Sequence, residues 1–294
     1  MKLLNYQSNS GFTAGIKMDE GILSVRELAE TMGQHVPNTM EAITLGGLDT
    51  VRTIQSLLDQ AKQKGCELKY IQESTLVYGP CIPQPGKIIC VGLNYRDHAI
   101  ECRVPFPEFP VLFSKFNNTI TAHQQSIQLP KGSDQIDYEA ELVIVIGRKA
   151  KNVEHHEALD YVLGYCNAND ISARDLQGRT SQWLLGKSID GFCPIGPYLV
   201  TADEVGDPNH LSIRLELNGE LRQNQNTNNM IFSCKEIISY ISQFITLNPG
   251  DIILTGTPEG VIVGYPPEKR VWLKTGDRVS VEIEKLGKLV NQFY

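Results

Sequence analysis

The chain has 294 residues, 41% of them hydrophobic, and a formal net charge of −7. That is enough apolar material for a large core, built as one big domain or as a small one beside a larger one. The acidic balance argues against nucleic acid and against an anionic membrane surface, and no run approaches the roughly 18 consecutive apolar residues of a membrane span.

Residues 1–80 read as a small α+β accessory domain, and 81–294 as the main body. The opening Met1–Tyr6 turns polar at once, unlike a secretory signal. Ser24-Val25-Arg26-Glu27 has the form of a capping box, and Gly33 is placed to stop the helix it begins. A second helix is predicted from about Asp49 to Lys64. There Val51, Ile54, Leu57, Leu58 and Ala61 make one apolar face, and Gly65 follows. Pro83-Gln84-Pro85-Gly86 is a cluster of chain breakers at the boundary. Beyond it, Ile88–Val91, Leu142–Ile146, Tyr198–Val200, Leu211–Leu217, Ile252–Leu254 and Val279–Ile283 read as strands. Asn218-Gly219 predicts a tight hairpin. Helical patterns are fewer, over about Glu157–Val162, Ala173–Leu185 and Ser233–Phe244. Strands without regular β-α-β alternation point to a β-rich α+β fold and away from a doubly wound one. The seven cysteines are odd in number, widely spread and without a C-x-x-C pair. No disulfide framework or zinc cluster is expected, and a cytoplasmic location is.

Glu139-Ala140-Glu141 leads into the most apolar run of the chain. Residues i and i+2 of a strand share a face, so the two carboxylates stand side by side. Like charges at the edge of a buried sheet repel, and a divalent cation relieves them. Asp170, after the strand-like run Val162–Cys166, offers a third carboxylate. Such oxygen ligands suit Mg²⁺ or Mn²⁺, not zinc. Taken alone, the E-x-E pair fits a solvated strand face better.

His98 and Glu101 are three apart and share a face on a helical turn. A carboxylate beside an imidazole orients it and raises its basicity, as a general base requires. A surface ion pair fits the same spacing. The Pro-rich segment that follows, Arg103–Pro110, reads as a lid or a packed loop. Gly186-Lys187-Ser188 resembles the tail of a phosphate-binding loop, but Ser181 stands where that motif needs glycine. Lys187 is read instead as a charge for a substrate carboxylate or a developing oxyanion. Lys115 has the same reading, and solvated lysines fit both places. The run Gly250–Pro258 ends in a glycine turn whose N–H groups, with the Thr255 and Thr257 hydroxyls, suit a carboxylate.

In order, Asn94–Glu101, Phe113–Lys115, Glu139–Leu142, Asn169–Gln177, Gly186–Ser188, Asn218–Gln223, Met230–Ser233 and Gly250–Val261 resemble the fumarylacetoacetate hydrolase family, in its acylpyruvase and 2-hydroxyhepta-2,4-diene-1,7-dioate isomerase branch. Each piece is weak, and the ordered set is specific. The resemblance runs from about Lys87 to Asn291. It implies a mixed β-sandwich or roll, a homodimer, and a small N-terminal domain. It also implies Mg²⁺ or Mn²⁺ on Glu139, Glu141 and Asp170, a water-activating dyad of His98 and Glu101 on a lid, and Lys187 at the active site. Arg174, Gln177 and Thr257 match positions that contact substrate or hold the site together. Departures from the family pattern lie in Cys102–Pro110 and Tyr265–Arg270.

The activity so implied is metal-dependent hydrolysis of a carbon–carbon bond in an acylpyruvate or related 3-acyl-2-oxo acid, with a small anionic 2-oxo acid as the partner. Decarboxylation of oxaloacetate and isomerisation or hydration of a 2-oxo-alkenoate are the alternatives on the same site. A non-catalytic small-molecule binding protein is a further one, against which the intact dyad, ligands and lysine argue.

Overall fold

The computed structural model describes residues 1–294. The most apolar run forms the strand Ala140–Ile146, buried at every position. It lies inside a twelve-stranded sheet, paired antiparallel with Val162–Asn169 on one side and Ile252–Leu254 on the other. Burial on both faces is what an unbroken run of this kind predicts. Leu142, Ile144 and Ile146 enter one core, and Val143 and Val145 enter another, following the two-residue period of a strand.

The first core is closed by a five-stranded sheet, whose strands Ser212–Leu217 and Arg278–Ile283 contribute Ile213, Leu215, Val279 and Val281. The helix Cys234–Phe244 adds Ile237, Ile238 and Ile241. The second core is covered by the long helix Met40–Gln63 through Ile43, Ile54, Leu57 and Leu58. Lys2–Ser8 pairs with Cys193–Thr201, so Gly11–Met18 and Gly21–Ser24 continue the large sheet. Residues 1–80 therefore share both sheet and core with the rest of the chain. The fold is mixed α+β and strand-rich.

Several elements differ from the sequence reading for local reasons. The second helix begins well before Asp49, because Thr39 caps it by accepting from the Ala42 N–H at 3.3 Å. It breaks at Gly47, at φ 65°, where a side chain would strike the Gly147 carbonyl. Ser24 accepts from the Glu27 N–H at 3.5 Å, whereas the reciprocal capping box is made by Ser233 and Glu236. The continuous helix expected over Ala173–Leu185 is absent. Arg174–Gln177 and Leu184–Lys187 are single turns. Between them the Thr180 hydroxyl bonds the backbone of Gln182 and competes with helix formation. Asn218 and Gly219 make the expected hairpin, both at positive φ, 54° and 84°.

His123 sits where the N-terminal strands meet the body. Its Nδ1 accepts from the Val290 N–H at 3.0 Å, and its ring meets Tyr78 edge-on at 4.8 Å. Burial pushes its pKa down to about 4; Glu73 opposes that and Arg278 adds to it. The unfolded imidazole, with an ordinary pKa near 6.5, binds a proton across this window that the folded one refuses. Stability contributed by neutral His123 is therefore present above pH 6.5 and lost as pH falls toward 4. His123→Asn keeps an acceptor for Val290 and is expected to flatten the fall in Tm over that range. Thermal melts at a series of pH values check this, and an unchanged slope sinks it.

Candidate metal centre and active site

Antiparallel pairing of Ala140 with Asn169 brings Asp170 beside Glu139 and Glu141. The junction is locked twice: Asn169 Oδ1 accepts from the Glu139 N–H, and the Asp170 N–H donates to the Glu139 carbonyl, each at 2.9 Å. The carboxylate oxygens of Glu139, Glu141 and Asp170 lie within 4.8 Å of one another, and all three residues are buried.

Three cations surround two of these acids. Lys187 Nζ donates to Glu139 Oε2 at 2.7 Å and to Asp170 Oδ2 at 2.8 Å. Arg174 Nη2 reaches Glu139 Oε1 at 2.7 Å. Lys115 Nζ donates to Asp170 Oδ1 at 2.5 Å. Glu141, only 1% exposed, makes no salt bridge and accepts from the Gly256 N–H at 2.7 Å. The two glutamates are pushed apart accordingly. Burial alone would raise Glu139, but Lys187 and Arg174 hold it down at about 2. Burial, with the charges of Asp170 and Glu139 behind it, drives Glu141 well above the usual carboxylate range. Burial opposes the charge on Lys187, and Asp170 and Glu139 overcome it and raise its pKa. Three convergent oxygen donors, one of them short of positive charge, fit a hard divalent cation such as Mg²⁺ or Mn²⁺.

His98 and Glu101 lie on the turn Arg96–Glu101. His98 Nδ1 donates to Glu101 Oε1 at 2.7 Å, and Glu101 Oε2 accepts from the Gly260 N–H at 3.1 Å. The turn is held by Asn94, whose Nδ2 donates to the Thr255 carbonyl at 2.8 Å and whose Oδ1 accepts from the Phe232 N–H at 2.8 Å. Gly264 leaves room for the dyad: a Cβ there would lie 2.4 Å from Glu101 Oε2.

His98 of the dyad and Glu139 and Glu141 of the acidic centre open into one cavity of about 300 Å³, whereas Glu101 and Asp170 stand behind its wall. His98, Glu139, Glu141, Arg174, Gln177, Lys187 and Thr257 all line it. Gln177 Oε1 accepts from Arg174 Nη1 at 3.0 Å, and Thr257 Oγ1 accepts from Gln223 Nε2 at 2.9 Å. Lys115 does not line the cavity; it is fully buried against Asp170 and serves as its counter-ion. Cys102, just before the segment expected as a lid, lines the cavity, whereas Phe109 within that segment is exposed and stacks on Tyr240 at 6.2 Å.

Three contributions escape the sequence reading. Asp137 is fully buried and accepts from the N–H groups of Tyr138, Ile262 and Val263 and from Arg174 Nε at 2.8 Å. It extends the alternation of Glu139 and Glu141 by one step, which is a readable signal. Gln223 joins the Ala140 N–H to Thr257 from a different sheet. Phe113 and Trp183, edge-to-face at 5.3 Å, form an aromatic wall of the cavity. Phe113 and Gln223 lie in motifs that carry the resemblance, but nothing local there gives them these roles.

The comparisons with known proteins agree with this architecture. The family profile described as fumarylacetoacetate (FAA) hydrolase C-terminal matches residues 87–294. The oxaloacetate tautomerase fahd2, mitochondrial, of Xenopus laevis is 41% identical over 99% of this chain and 89% of its own length. The structure of fumarylacetoacetate hydrolase from the psychrophilic Exiguobacterium antarcticum aligns with a TM-score of 0.80 at 30% identity, covering 100% of this chain and 99% of that one. Fumarylpyruvate hydrolase from Pseudomonas aeruginosa in complex with Mn²⁺ and pyruvate aligns with a TM-score of 0.64 at 35% identity, covering 70% of this chain and 88% of that one. The expectation of a cytoplasmic chain is overturned, because similar proteins from Xenopus laevis, Bos taurus and Rattus norvegicus are named mitochondrial. Unpaired cysteines do not single out one compartment. With its profile match, its relatives and its fold in agreement, the chain belongs to the fumarylacetoacetate hydrolase family.

Proposed function

We propose that the protein interconverts the enol and keto forms of a small 2-oxo dicarboxylate of the oxaloacetate type. One observation carries this: His98 and the paired acids Glu139 and Glu141 face a single cavity of about 300 Å³. That volume is at the small end of the ~300–1,000 Å³ typical of small-molecule sites and suits a four-carbon diacid. The naming of the Xenopus relative as an oxaloacetate tautomerase supports the reading.

Glu139, Glu141 and Asp170 would hold a divalent cation, which when bound would supply Lewis-acid polarisation to the 2-oxo acid. His98 delivers a proton to carbon 3 of the enol while the enol hydroxyl gives up its own proton to solvent, and in the reverse direction His98 takes the carbon 3 proton as the oxygen regains one from solvent. Glu101, fixed by the Gly260 N–H, keeps the ring oriented for that transfer. Arg174 and Lys187 bring positive charge to the wall for the substrate carboxylates. Phe113 and Trp183 keep water from that wall, which strengthens each of these charges. Burial works against a charged His98, but hydrogen bonds with Cys102 and Glu101, and the charge of Glu139, hold its pKa up at about 9. At neutral pH the ring carries the proton it is to deliver.

Hydrolysis of an acylpyruvate is the second reading, favoured by the likeness to the fumarylpyruvate hydrolase in complex with Mn²⁺ and pyruvate. It asks the opposite of His98, which would accept a proton from water. Decarboxylation of oxaloacetate and rearrangement of a 2-oxo-alkenoate draw on the same polarised group.

Assays on enolic oxaloacetate, acetylpyruvate and fumarylpyruvate separate these readings. The enol-to-keto rate is expected to fall as pH rises through about 9, as His98 loses its proton. An enol-to-keto rate that does not fall over this range overturns the tautomerase reading, and acylpyruvate cleavage that climbs there marks hydrolysis by a neutral base. His98→Ala is expected to lower kcat by about 10²–10⁴-fold, and retention of wild-type kcat removes the dyad from the mechanism. Glu141→Gln takes a strained charge from the core, so the metal-free variant is expected to melt at a higher temperature than wild type. The same change is expected to weaken Mn²⁺ binding by more than the ~10–100-fold that loss of an outer partner brings. Calorimetric titration reads that affinity, and unchanged binding removes Glu141 from the metal centre.

A further inference from the structure

We propose that His98, Glu101 and Cys102 form a second metal site in the same cavity, one that takes a thiophilic divalent cation of the Zn²⁺ class and blocks the dyad when filled. The binding follows from the geometry alone; its inhibitory consequence rests on the proposed role of the dyad.

The three residues stand at i, i+3 and i+4 at the end of one helical turn and so share a face. One ligand atom from each lies within 4.8 Å of the others. Glu101 Oε1 is 2.7 Å from His98 Nδ1, and Cys102 Sγ is 3.9 Å from each ring nitrogen. Zinc bonds of ~2.0–2.3 Å at a tetrahedral angle separate the nitrogen, oxygen and sulfur ligand atoms by roughly 3.3–3.6 Å. The side chains thus reach that arrangement by moving less than an ångström. Glu101 is suited to it, because Oε2 is already taken by the Gly260 N–H and Oε1 faces the ring. His98 and Cys102 both line the cavity, which leaves a fourth position open to water. Thiolate and carboxylate together balance a divalent charge.

Donor chemistry separates this corner from the acidic centre across the cavity. Three carboxylates select a hard cation, whereas sulfur and imidazole favour zinc. Cys102 is also suited by access. Five of the seven cysteines are buried, and the other half-buried one, Cys66, lies near Met32 and not at the cavity. A cation on Nδ1 displaces the proton shared with Glu101 and keeps the ring from becoming the imidazolium that delivers a proton, so filling the site stops the dyad.

The test uses the full chain with saturating Mg²⁺ on the acidic centre and Co²⁺ as the spectroscopic probe. A thiolate-to-cobalt absorption band in the near ultraviolet is expected to saturate at one equivalent in wild type and in Cys66→Ala. It is expected to vanish in Cys102→Ala and in the size-conserving Cys102→Ser. No band in wild type, or a band that survives in both Cys102 variants, overturns the site. This arm reads binding whether or not tautomerisation is the reaction, so the two failures are distinguishable. In the activity arm, Zn²⁺ added to the Mg²⁺-loaded enzyme is expected to lower the rate at least ten-fold in wild type, and Cys102→Ser to need at least ten-fold more Zn²⁺ for the same loss. Equal sensitivity of the two places the zinc on the carboxylates and overturns the inhibitory role.

Discussion

Asp137, Glu139, Glu141 and Asp170 meet Lys115, Arg174 and Lys187 in a space almost closed to water. Each of these charges, buried alone, would cost several kcal/mol, and all but Glu141 are paired with a neighbour of opposite sign. Four acids against three bases leave one negative charge over. The excess falls on Glu141, the one acid without a salt bridge, and it is Glu141 whose carboxyl is driven upward by burial and by Asp170 and Glu139. A divalent cation turns the balance from one negative charge to one positive, the sign that an anionic 2-oxo acid requires. The charge count, as much as the ligand geometry, makes the centre incomplete without such an ion.

The backbone around the cluster is shaped to hold it. The central strand enters with its odd-numbered residues toward the acids, and its partner Val162–Asn169 ends at the residue before Asp170. Asp137 fixes both the loop at Ile262 and Val263 and the guanidinium of Arg174. Gln223 reaches in from the second sheet to join the Ala140 N–H to Thr257. The two sheets, packed through the larger core, are thus registered against each other at the site itself. A shift of one strand by one residue would turn the glutamates to the opposite face.

Much of this is written locally, and some is not. The alternation of Glu139 and Glu141 and the hairpin at Asn218-Gly219 depend on neighbouring residues, and both are legible. The proximity of Asp170 needs strand pairing, which only the ordered set of motifs hints at. Lys115 reads as a substrate group because its sequence shows a cation after an apolar run; nothing local says that Asp170 waits behind the cavity wall to take it. The helix read over Ala173–Leu185 has good helix formers, yet the buried pulls on Arg174 and Lys187 and the Thr180 backbone bonds prevail over propensity. The continuation of the large sheet through Lys2–Ser8 pairs residues almost two hundred positions apart, with Lys2 opposite Val200. No periodicity within either segment carries that information.

The dyad shows how two neighbouring residues can set the character of a third. Glu101 divides its oxygens between His98 and the Gly260 backbone, so it cannot rotate to follow the ring, and the absence of a side chain at Gly264 lets it stay there. His98 is in turn buried, which disfavours its charge, yet bonded to groups that favour it more strongly. Water activation needs a neutral imidazole and carbon protonation needs a charged one. The distinction between the two chemistries therefore lies less in the carboxylates, which serve either reaction, than in the turn Arg96–Glu101 and in Cys102 immediately after it. Cys102 stands in the stretch where the sequence departs from the family pattern, and it touches the one side chain whose protonation decides between them.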